Sequence, residues 1–347
     1  MASSLLTKLR RRLFGTATLS LDEEVIFFPQ SGWMNQAGTH WTVPIHGWVF
    51  EREGQAWLRE LAIRLLREAS EIEWEVAEKS PFFQARCQMF LVDNERGKKL
   101  PFKIGKHQFN AGKSTSGGHF YSAIEIPVED YPDGGKIEIQ AVVPEGDIRV
   151  FTGNVHLVKD GGIAVISDID DTVKITDVHN KREVVENTLF REFRPIDGMA
   201  EIYQRWEAEG ASFHYVSNSP WQLFPDLYGM FEQHGFPEGD WHLNRLRIKD
   251  RSLSHFLRSA ERTKPPTIAG IMEHWPQRQF ILVGDSGQKD PEAYGEIART
   301  LCGRVKHIYI RSVREEDDPE SERFAEAFRD LPDTDWTLFK EASEITA

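Results

Sequence analysis

The order of apolar and polar positions divides the chain into two halves with different patterns. Between residues 21 and 158, short apolar-rich segments separated by Gly, Asn and Asp turns predict β-strands. The predicted strands are 41–50, 84–92, 120–126, 136–143 and 148–158. One segment, 53–70, repeats its apolar residues at helical spacing and predicts a helix among them. Strands at this spacing favour a sandwich-like β domain.

From residue 159 onward, continuous apolar runs alternate with helical patterns. The runs 163–167, 213–217, 280–284 and 305–310 predict strands, and 198–210, 265–275 and 291–301 predict helices. Such alternation indicates an α/β domain with a mostly parallel sheet covered on both faces. We therefore predict a basic N-terminal segment at 1–20, a β-rich domain at 21–158, an α/β domain at 159–313 and an acidic tail at 314–347.

Composition and charge narrow the class of protein. The 347 residues are enough for about two domains. Their 42 Lys and Arg against 55 Asp and Glu give a net charge of −13, which argues against a nucleic-acid partner. No apolar run approaches the roughly 20 residues of a transmembrane helix. The two cysteines, Cys87 and Cys302, are too few for a disulfide framework or a Cys-based zinc site. We expect a cytoplasmic protein.

Both ends of the chain carry concentrated charge of one sign. Leu5, Leu9 and Leu13 recur among basic residues, so a helix over 1–20 would be amphipathic and suited to an anionic membrane surface. A basic terminus without regular structure is the alternative. Residues 314–335 hold ten acidic and three basic side chains, which predicts a solvated segment with a short helix at 324–328.

Three of the four predicted strands of the second half end in side chains suited to chemistry. Asp168 and Asp170 follow the first strand, Ser217 ends the second, and Asp285 follows the third with Asp290 five residues further on. Ligands bind at the carboxyl ends of parallel strands. Carboxylates that meet there repel one another unless a cation lies among them. Oxygen ligands without His or Cys favour Mg²⁺ over zinc.

The segments that carry these residues resemble a known family. The motifs are SDIDDTVK at 167–174, YVSNSP at 215–220 and VGDSGQKDP at 283–291, with Lys264 before the last. They resemble the ordered motifs of the haloacid-dehalogenase superfamily and, more narrowly, the actin-patch-associated phosphatidate phosphatase family. IYIRSV at 308–313 is similar to the strand that closes that family's catalytic domain. The resemblance covers roughly 161–313 and implies a haloacid-dehalogenase-like domain with a small cap or none.

The resemblance assigns chemical roles to the aspartates. It implies that Asp168 attacks phosphorus and forms an aspartyl-phosphate, and that Asp170 is the general acid and base. It also implies that Mg²⁺ is held by the Asp168 carboxylate, the Asp170 backbone carbonyl and Asp285. Asp171 is predicted to be a turn residue.

The resemblance implies further roles, and each of them has an alternative. Ser217 and Lys264 are implied to bind the phosphoryl oxygens. Ser219 is the alternative to Ser217, and Lys249 is the alternative to Lys264. Asp290 is expected on the metal side as a direct ligand, as a ligand through water, or as the residue that orients Lys264.

The function implied by the resemblance is Mg²⁺-dependent hydrolysis of phosphatidate to diacylglycerol and phosphate. Short gaps between the motifs leave little room for a cap domain, which favours a large substrate. The basic segment 245–264 suits an anionic lipid surface, or it is an ordinary amphipathic helix. The alternatives are a phosphatase of another bulky phosphomonoester (a lysolipid or a phosphoprotein) and a membrane- or protein-binding adaptor with an inactive domain. Peripheral membrane contact is expected, and no residue pattern identifies a protein partner.

Overall fold

The computed structural model describes residues 19–52, 79–245, 264–331 and 334–345. The chain packs as two compact units. Of the described residues, 19–52 and 91–159 belong to the first unit, and 79–90 and 160–345 belong to the second. Nearly all of the basic segment 1–20, the predicted helix 53–70 and most of the basic segment 245–264 lie outside the described residues.

The first unit is built on one sheet of nine strands. The strands are β1 (Glu23–Phe28), β2 (Gln30–Met34), β3 (His40–Glu51), β4 (Asp93–Asn94), β5 (Pro101–Ile104), β6 (His107–Asn110), β7 (His119–Pro127), β8 (Gly135–Ala141) and β9 (Thr152–Val158), with a 3₁₀ turn at Val128–Asp130. Their order is β1-β3-β2-β9-β8-β5-β6, and β4 and β7 also pair with β3. Every pair is antiparallel except β2 with β9.

Alternating side chains of these strands form the core of the first unit. In β8, Ile137 and Ile139 are buried while Glu138 is exposed, as the period of two requires. The core also takes Trp41 of β3, whose indole N–H donates to the backbone carbonyl of Tyr131 at 3.0 Å. The predicted strands 41–50, 120–126 and 136–143 are confirmed. The predicted strand 148–158 forms only from Thr152, and the residues before it include the exposed side chains of Ile148 and Val150.

The second unit contains a parallel sheet of six strands. They are β10 (Ile163–Ser167), β11 (Ser212–Pro220), β12 (Asp240–Asn244), β13 (Gln279–Asp285), β14 (Val305–Arg311) and β15 (Asp335–Phe339). The spatial order is β12-β11-β10-β13-β14-β15, and every neighbouring pair is parallel. The chain thus builds outward from β10 to one edge and then from β13 to the other. This order opens a crevice at the carboxyl ends of β10 and β13.

Helices cross between these strands. They are α2 (Lys181–Val185), α3 (Met199–Ala208), α4 (Phe224–His234), α5 (Lys264–His274), α6 (Asp290–Thr300) and α7 (Glu322–Ala327), with α1 (Pro81–Phe90) before the sheet. A π-helical turn at Glu186–Phe190 and 3₁₀ turns at Trp221–Leu223 and Ala342–Glu344 complete the described elements. The predicted helices 198–210, 265–275 and 291–301 form within two residues of their expected bounds. The predicted parallel α/β sheet is confirmed.

The predicted strand 84–92 is wrong, because this segment forms α1 and packs in the second unit. Its buried side chains include Phe83, Arg86 and Cys87, which share a helix face through spacings of three and four residues. The apolar residues of the segment suggested a strand. In the helix, a buried arginine lies on the same face as these apolar residues.

Arg86 attaches α1 to the rest of the second unit. Its Nε lies 3.0 Å from Oδ1 of Asp226, and its Nη1 donates to the backbone carbonyls of Thr188 and Arg191 at 3.0 and 2.8 Å. The guanidinium also lies 3.7 Å from the ring centre of Phe193. Only 1% of the residue is exposed, so its charge is balanced entirely by these neighbours.

The C-terminal segment 314–347, expected to be an acidic solvated tail, is part of the second unit. β15 adds a strand beside β14, and α7 packs against α6. Phe324 and Phe328 are buried, and both rings stack on Trp336. The excess of acidic side chains concealed these apolar residues, which lie at spacings of a short helix and a strand.

We predict that Arg86→Met lowers the free energy of unfolding by about 3–5 kcal/mol, because Asp226 and two carbonyls lose a buried partner. The matched control is Arg52→Met, since Arg52 pairs with Glu24 at 2.7 Å but its side chain is 50% exposed. The control should change stability by about 0–1 kcal/mol. Urea denaturation measures both, and equal losses in the two variants would contradict the role of Arg86.

Candidate active site

The first and last motifs meet where the strand order of the second sheet reverses. β10 and β13 are neighbours, and the chain continues from them to β11 on one side and β14 on the other. Asp168 directly follows β10, and Asp285 is the last residue of β13. Their exposed fractions are 1% and 0%. The topology therefore brings together, in a buried crevice, carboxylates that are far apart in sequence.

Lys264 begins α5 and places its side chain between two carboxylates. Its Nζ lies 2.8 Å from Oδ1 of Asp168 and 2.7 Å from Oδ1 of Asp290. Burial disfavours the charged lysine, but attraction by Asp168 and Asp290 outweighs burial, so the pKa of Lys264 is raised. The ammonium group is therefore charged at neutral pH. The alternative residue, Lys249, lies outside the described residues.

Asp168, Asp285 and Asp290 form a buried cluster in which one oxygen of each lies within 4.8 Å of the others. Burial, opposed by Lys264 and reinforced by Asp290, raises the pKa of Asp168 to about 7. Burial, reinforced by Asp290 and Asp168, raises the pKa of Asp285 well above its ordinary range. One lysine faces three carboxylates here. The cluster therefore favours a second cation.

The oxygen atoms of this cluster fit a magnesium ion. Oδ1 of Asp285 accepts the backbone N–H of Gln288 at 3.0 Å, but its buried Oδ2 has no hydrogen-bond partner among the described residues. A buried acceptor without a partner is costly, and a cation beside it removes that cost. The three members of the cluster offer only carboxylate oxygens, the ligand type that Mg²⁺ prefers.

Both oxygens of Asp290 have partners within the protein. Oδ1 accepts from Lys264, and Oδ2 accepts the backbone N–H of Asp285 at 3.2 Å. Of the roles that the sequence left open, these contacts favour orientation of Lys264. They also fix the loop between β13 and α6.

Asp170 lies in a separate network on the side of β11. Its Oδ1 lies 3.0 Å from Nζ of Lys174 and accepts from the Thr176 hydroxyl at 2.8 Å. Its Oδ2 accepts from the hydroxyls of Ser217 and Ser219, both at 2.9 Å. Burial raises the pKa of Asp170, but the charge of Lys174 and these hydrogen bonds outweigh it and lower the pKa to about 2. The carboxylate is therefore ionised.

The structure places the two candidate phosphate ligands, Ser217 and its alternative Ser219, on the same oxygen of Asp170. Ser217 Oγ also accepts the backbone N–H of Ser219 at 2.9 Å. The contacts therefore do not distinguish the two serines. Both of these hydroxyl bonds are made to Asp170 and neither is made to Asp168.

The loop after β10 is closed by Asp171, which the sequence marked as a turn residue. Its φ of 55° lies in the left-handed region. Its carboxylate accepts the backbone N–H groups of Thr176, Asp177 and Val178 at 2.8, 2.8 and 2.7 Å. Three bonds to one carboxylate hold the loop that carries Asp170 and Lys174.

Sequence reasoning missed Lys174 as a site residue, although it lies in the first motif. The lysine is only 1% exposed. A lysine four residues after a candidate acid is a signal for an ion pair in a helix, but the chain here is a loop, so the spacing alone was not informative.

A second missed group holds the loop after β13 from the C-terminal side. We call Arg314, Asp317 and Arg323 the C-terminal clamp. Arg323 donates to the carbonyls of Ser286 and Gln288, both at 2.6 Å, and Arg314 donates to the carbonyl of Gly287 at 2.9 Å.

Asp317, the remaining member of the C-terminal clamp, holds the start of the C-terminal segment in place. Asp317 accepts from the Ser286 hydroxyl and from the backbone N–H groups of Val313 and Arg314 at 3.1 and 3.0 Å. The loop that presents Asp285 thus depends on residues that follow the last motif.

Comparison with known proteins places this geometry in context. Residues 163–312 match the family described as "Phosphatidate phosphatase APP1, catalytic domain". The chain is 32% identical to phosphatidate phosphatase APP1 of Saccharomyces cerevisiae over 188 residues, which cover 53% of this chain and 30% of that protein. It is 29% identical to an uncharacterized protein of Schizosaccharomyces pombe over 217 residues, which cover 59% of this chain and 35% of that protein. These matches confirm the resemblance predicted from the motifs over residues 163–312.

The sequence matches cover part of each relative, and the solved structures are similar only at low identity. The chain spans about a third of the length of the two curated relatives, 35% and 30%. Among solved structures, an apo phosphoserine phosphatase covers 50% of this chain and 92% of its own at a TM-score of 0.29 and 13% identity. The assignment therefore rests on the sequence matches.

We predict that Arg323→Ala weakens Mg²⁺ binding by about 10-fold or more, because the loop of Asp285 loses two hydrogen bonds to its carbonyls. The matched control is Arg329→Ala, since Arg329 lies in the same segment with a 71% exposed side chain. Isothermal titration calorimetry with MgCl₂ compares the two variants with the native protein. Equal Mg²⁺ affinity in all three would contradict the role of the C-terminal clamp.

Proposed function

We propose that this chain, whose residues 163–312 belong to the catalytic-domain family of the APP1 phosphatidate phosphatases, hydrolyses phosphatidate to diacylglycerol and phosphate with Mg²⁺. The observation that carries the proposal is the contact of Asp168 with Lys264 at the crevice of the sheet, beside Asp285 and Asp290. Burial raises the pKa of Asp168, and the positive charges of Lys264 and of a bound cation would favour its ionised form, which suits attack on a phosphoryl group.

In the first step, a carboxylate oxygen of Asp168 forms a bond to phosphorus as the ester bond to diacylglycerol breaks. The leaving oxygen receives a proton from Asp170, and the phosphoryl group remains on Asp168 as an aspartyl-phosphate. In the second step, Asp170 takes a proton from water, whose oxygen attacks phosphorus and releases Asp168 and phosphate. Two displacements thus replace one more difficult displacement.

Lys264 and Ser217 balance charge on the phosphoryl oxygens in this mechanism. Lys264 is already fixed by Asp168 and Asp290, so little reorganisation accompanies the reaction. Ser217 donates to Asp170 in the structure, so its hydroxyl must turn toward the phosphoryl group when substrate binds. Ser219 can then keep Asp170 oriented, since it donates to the same oxygen.

The ionised state of Asp170 fits its second task better than its first. As a base it needs the negative charge that Lys174 and Thr176 stabilise. As an acid it must first take up a proton, and its contacts with these residues must weaken at that moment. We infer that Lys174 sets the balance between the two tasks.

Asp168 and Asp285, with the backbone carbonyl of Asp170, would hold the Mg²⁺ ion, and Asp290 would act through Lys264. The ion supplies positive charge to the phosphoryl group and to the attacking carboxylate. The orphaned Oδ2 of Asp285 is the atom that supports this assignment.

The short connection between the first two motifs supports a large substrate. Between Asp168 and Ser217 the described chain forms α2, a π-helical turn, α3 and most of β11, with no separate cap domain. A lipid headgroup at a membrane surface can approach such a site. We propose that the enzyme acts from the cytoplasm as a peripheral protein. No helix among the described residues is long and apolar enough to cross a bilayer.

We predict that the native protein releases phosphate from phosphatidate in detergent mixed micelles with Mg²⁺ and not with EDTA. Asp168→Asn should lose activity by about 10⁴-fold or more, since it removes the nucleophile. The matched control is Asp133→Asn, which makes the same change at an exposed aspartate and should keep activity.

A soluble aryl phosphate and a phosphopeptide are tested in parallel. Activity on either of these without activity on phosphatidate would keep the mechanism and contradict the lipid substrate. Binding of vesicles by the native protein without turnover of any phosphomonoester would favour the adaptor.

We also predict that Lys174→Met lowers turnover by about 100-fold, because the carboxylate of Asp170 loses its cation and its position. Because the change leaves a buried carboxylate without its charge partner, the variant should also be less stable than the native protein. Lys174→Met/Asp170→Asn should regain stability without regaining activity, as seen by thermal unfolding and by phosphate release. Full activity of the single variant would contradict the role of Lys174.

A further inference from the structure

A second group of side chains that could hold a metal ion lies on the sheet of the second unit, away from the carboxylate cluster. It consists of His214 on β11 and of Asp240 and His242 on β12. The register pairs His214 with Asp240 and Val216 with His242, so successive same-face positions of two adjacent parallel strands carry the three side chains. The regular pairing of the strands, and not a loop, brings them together.

The distances within this group are those of converging ligands. Oδ2 of Asp240 lies 3.2 Å from Nδ1 of His214 and 3.9 Å from Nε2 of His242. One ligand atom from each residue lies within 4.8 Å of the others. His214 is completely buried, while 26% of the His242 side chain is exposed.

Hydrogen bonding within the protein does not account for the whole group. The pair of His214 and Asp240 uses Nδ1 of the histidine. The Nε2 atoms of His214 and His242 are both buried and have no hydrogen-bond partner among the described residues. Two buried imidazole nitrogens without partners are costly in a protein interior. A ligand that accepts electron pairs from imidazole would remove part of that cost.

We infer that His214, Asp240 and His242 bind a divalent transition-metal ion of the Zn²⁺ type, with a fourth position open to water. Two imidazoles and one carboxylate are ligands that Zn²⁺ takes in proteins, whereas Mg²⁺ prefers oxygen alone. The site is therefore chemically distinct from the cluster of Asp168 and Asp285, and its occupancy does not depend on the proposed phosphatase activity.

The position of this site gives it a structural consequence. His214 precedes Ser217 by three residues on the same strand, which is about 10 Å along β11. A metal ion bound by His214 and by residues of β12 would link β11 to β12 close to Ser217 and Ser219. We expect the bound ion to stabilise the second unit, because the ion binds to the folded chain and not to the unfolded chain.

The experiment uses the full chain without a polyhistidine tag, first stripped of metal by a chelator. Zn²⁺ binding is measured by competition with a chromophoric chelator, and Co²⁺ is added separately as a spectroscopic probe. The native protein should bind one Zn²⁺ and raise its unfolding temperature. Co²⁺ should give visible absorption bands, which are strong for four-coordinate nitrogen-containing sites and weak for octahedral oxygen sites.

Two variants remove ligands and one serves as the control. His242→Ala and Asp240→Asn should each weaken Zn²⁺ binding by more than about 10-fold. Asp285→Asn alters the carboxylate cluster and should leave Zn²⁺ affinity and the Co²⁺ bands unchanged. Circular dichroism checks that each variant is folded.

Three results would overturn the proposal. One is a native protein that binds no Zn²⁺ and shows no Co²⁺ bands. Another is Zn²⁺ affinity that stays the same in His242→Ala and Asp240→Asn. The last is loss of the bands in Asp285→Asn alone, which would place the ion in the carboxylate cluster. The native spectrum is informative even where a variant fails to fold.

Discussion

The excess of negative charge at the ends of β10 and β13 is the constraint on which the second unit depends. Asp168, Asp285 and Asp290 are buried together, and Lys264 is the lysine that lies between two of them. Mutual repulsion of the carboxylates makes the arrangement unfavourable by itself. The fold must therefore hold these groups by other means. It does so through strand topology, through hydrogen bonds to the loops and, in our proposal, through a bound cation.

Topology supplies the first of these means. β10 and β13 stand side by side in the middle of the sheet although more than a hundred residues separate their ends. Apolar side chains along both strands are buried on both faces, so neither strand can move without losing core contacts. The aspartates at the ends of the two strands are therefore held in fixed positions. The C-terminal clamp completes it, since Arg323 and Arg314 bind the carbonyls of the loop that follows Asp285.

What the sequence predicted well depends on local patterns. Asp168, Asp285 and Asp290 could be found because an apolar run that ends in an acidic residue is readable without knowledge of the fold. Lys264 could be found through family resemblance and its place before a helix. The partners of Asp170 were less accessible, because Lys174 acts through a loop conformation that Asp171 closes with its positive φ.

Long-range contacts account for the rest. Arg86 lies in a segment whose apolar residues suggested a strand. Its contacts with Asp226 and with the backbone carbonyls of Thr188 and Arg191 explain why it is buried in a helix. Composition concealed the C-terminal clamp, since Asp317 is one of many acidic residues in a segment whose charge predicted exposure to solvent.

Ligand chemistry also separates the two proposed cation sites. Imidazole is a ligand type that suits Zn²⁺, whereas carboxylate oxygens are the ligand type that suits Mg²⁺. The cluster of Asp168, Asp285 and Asp290 offers carboxylates alone, and the imidazoles of His214 and His242 lie on another part of the sheet. In our proposals, the difference in ligand type assigns a different ion to each of the two groups.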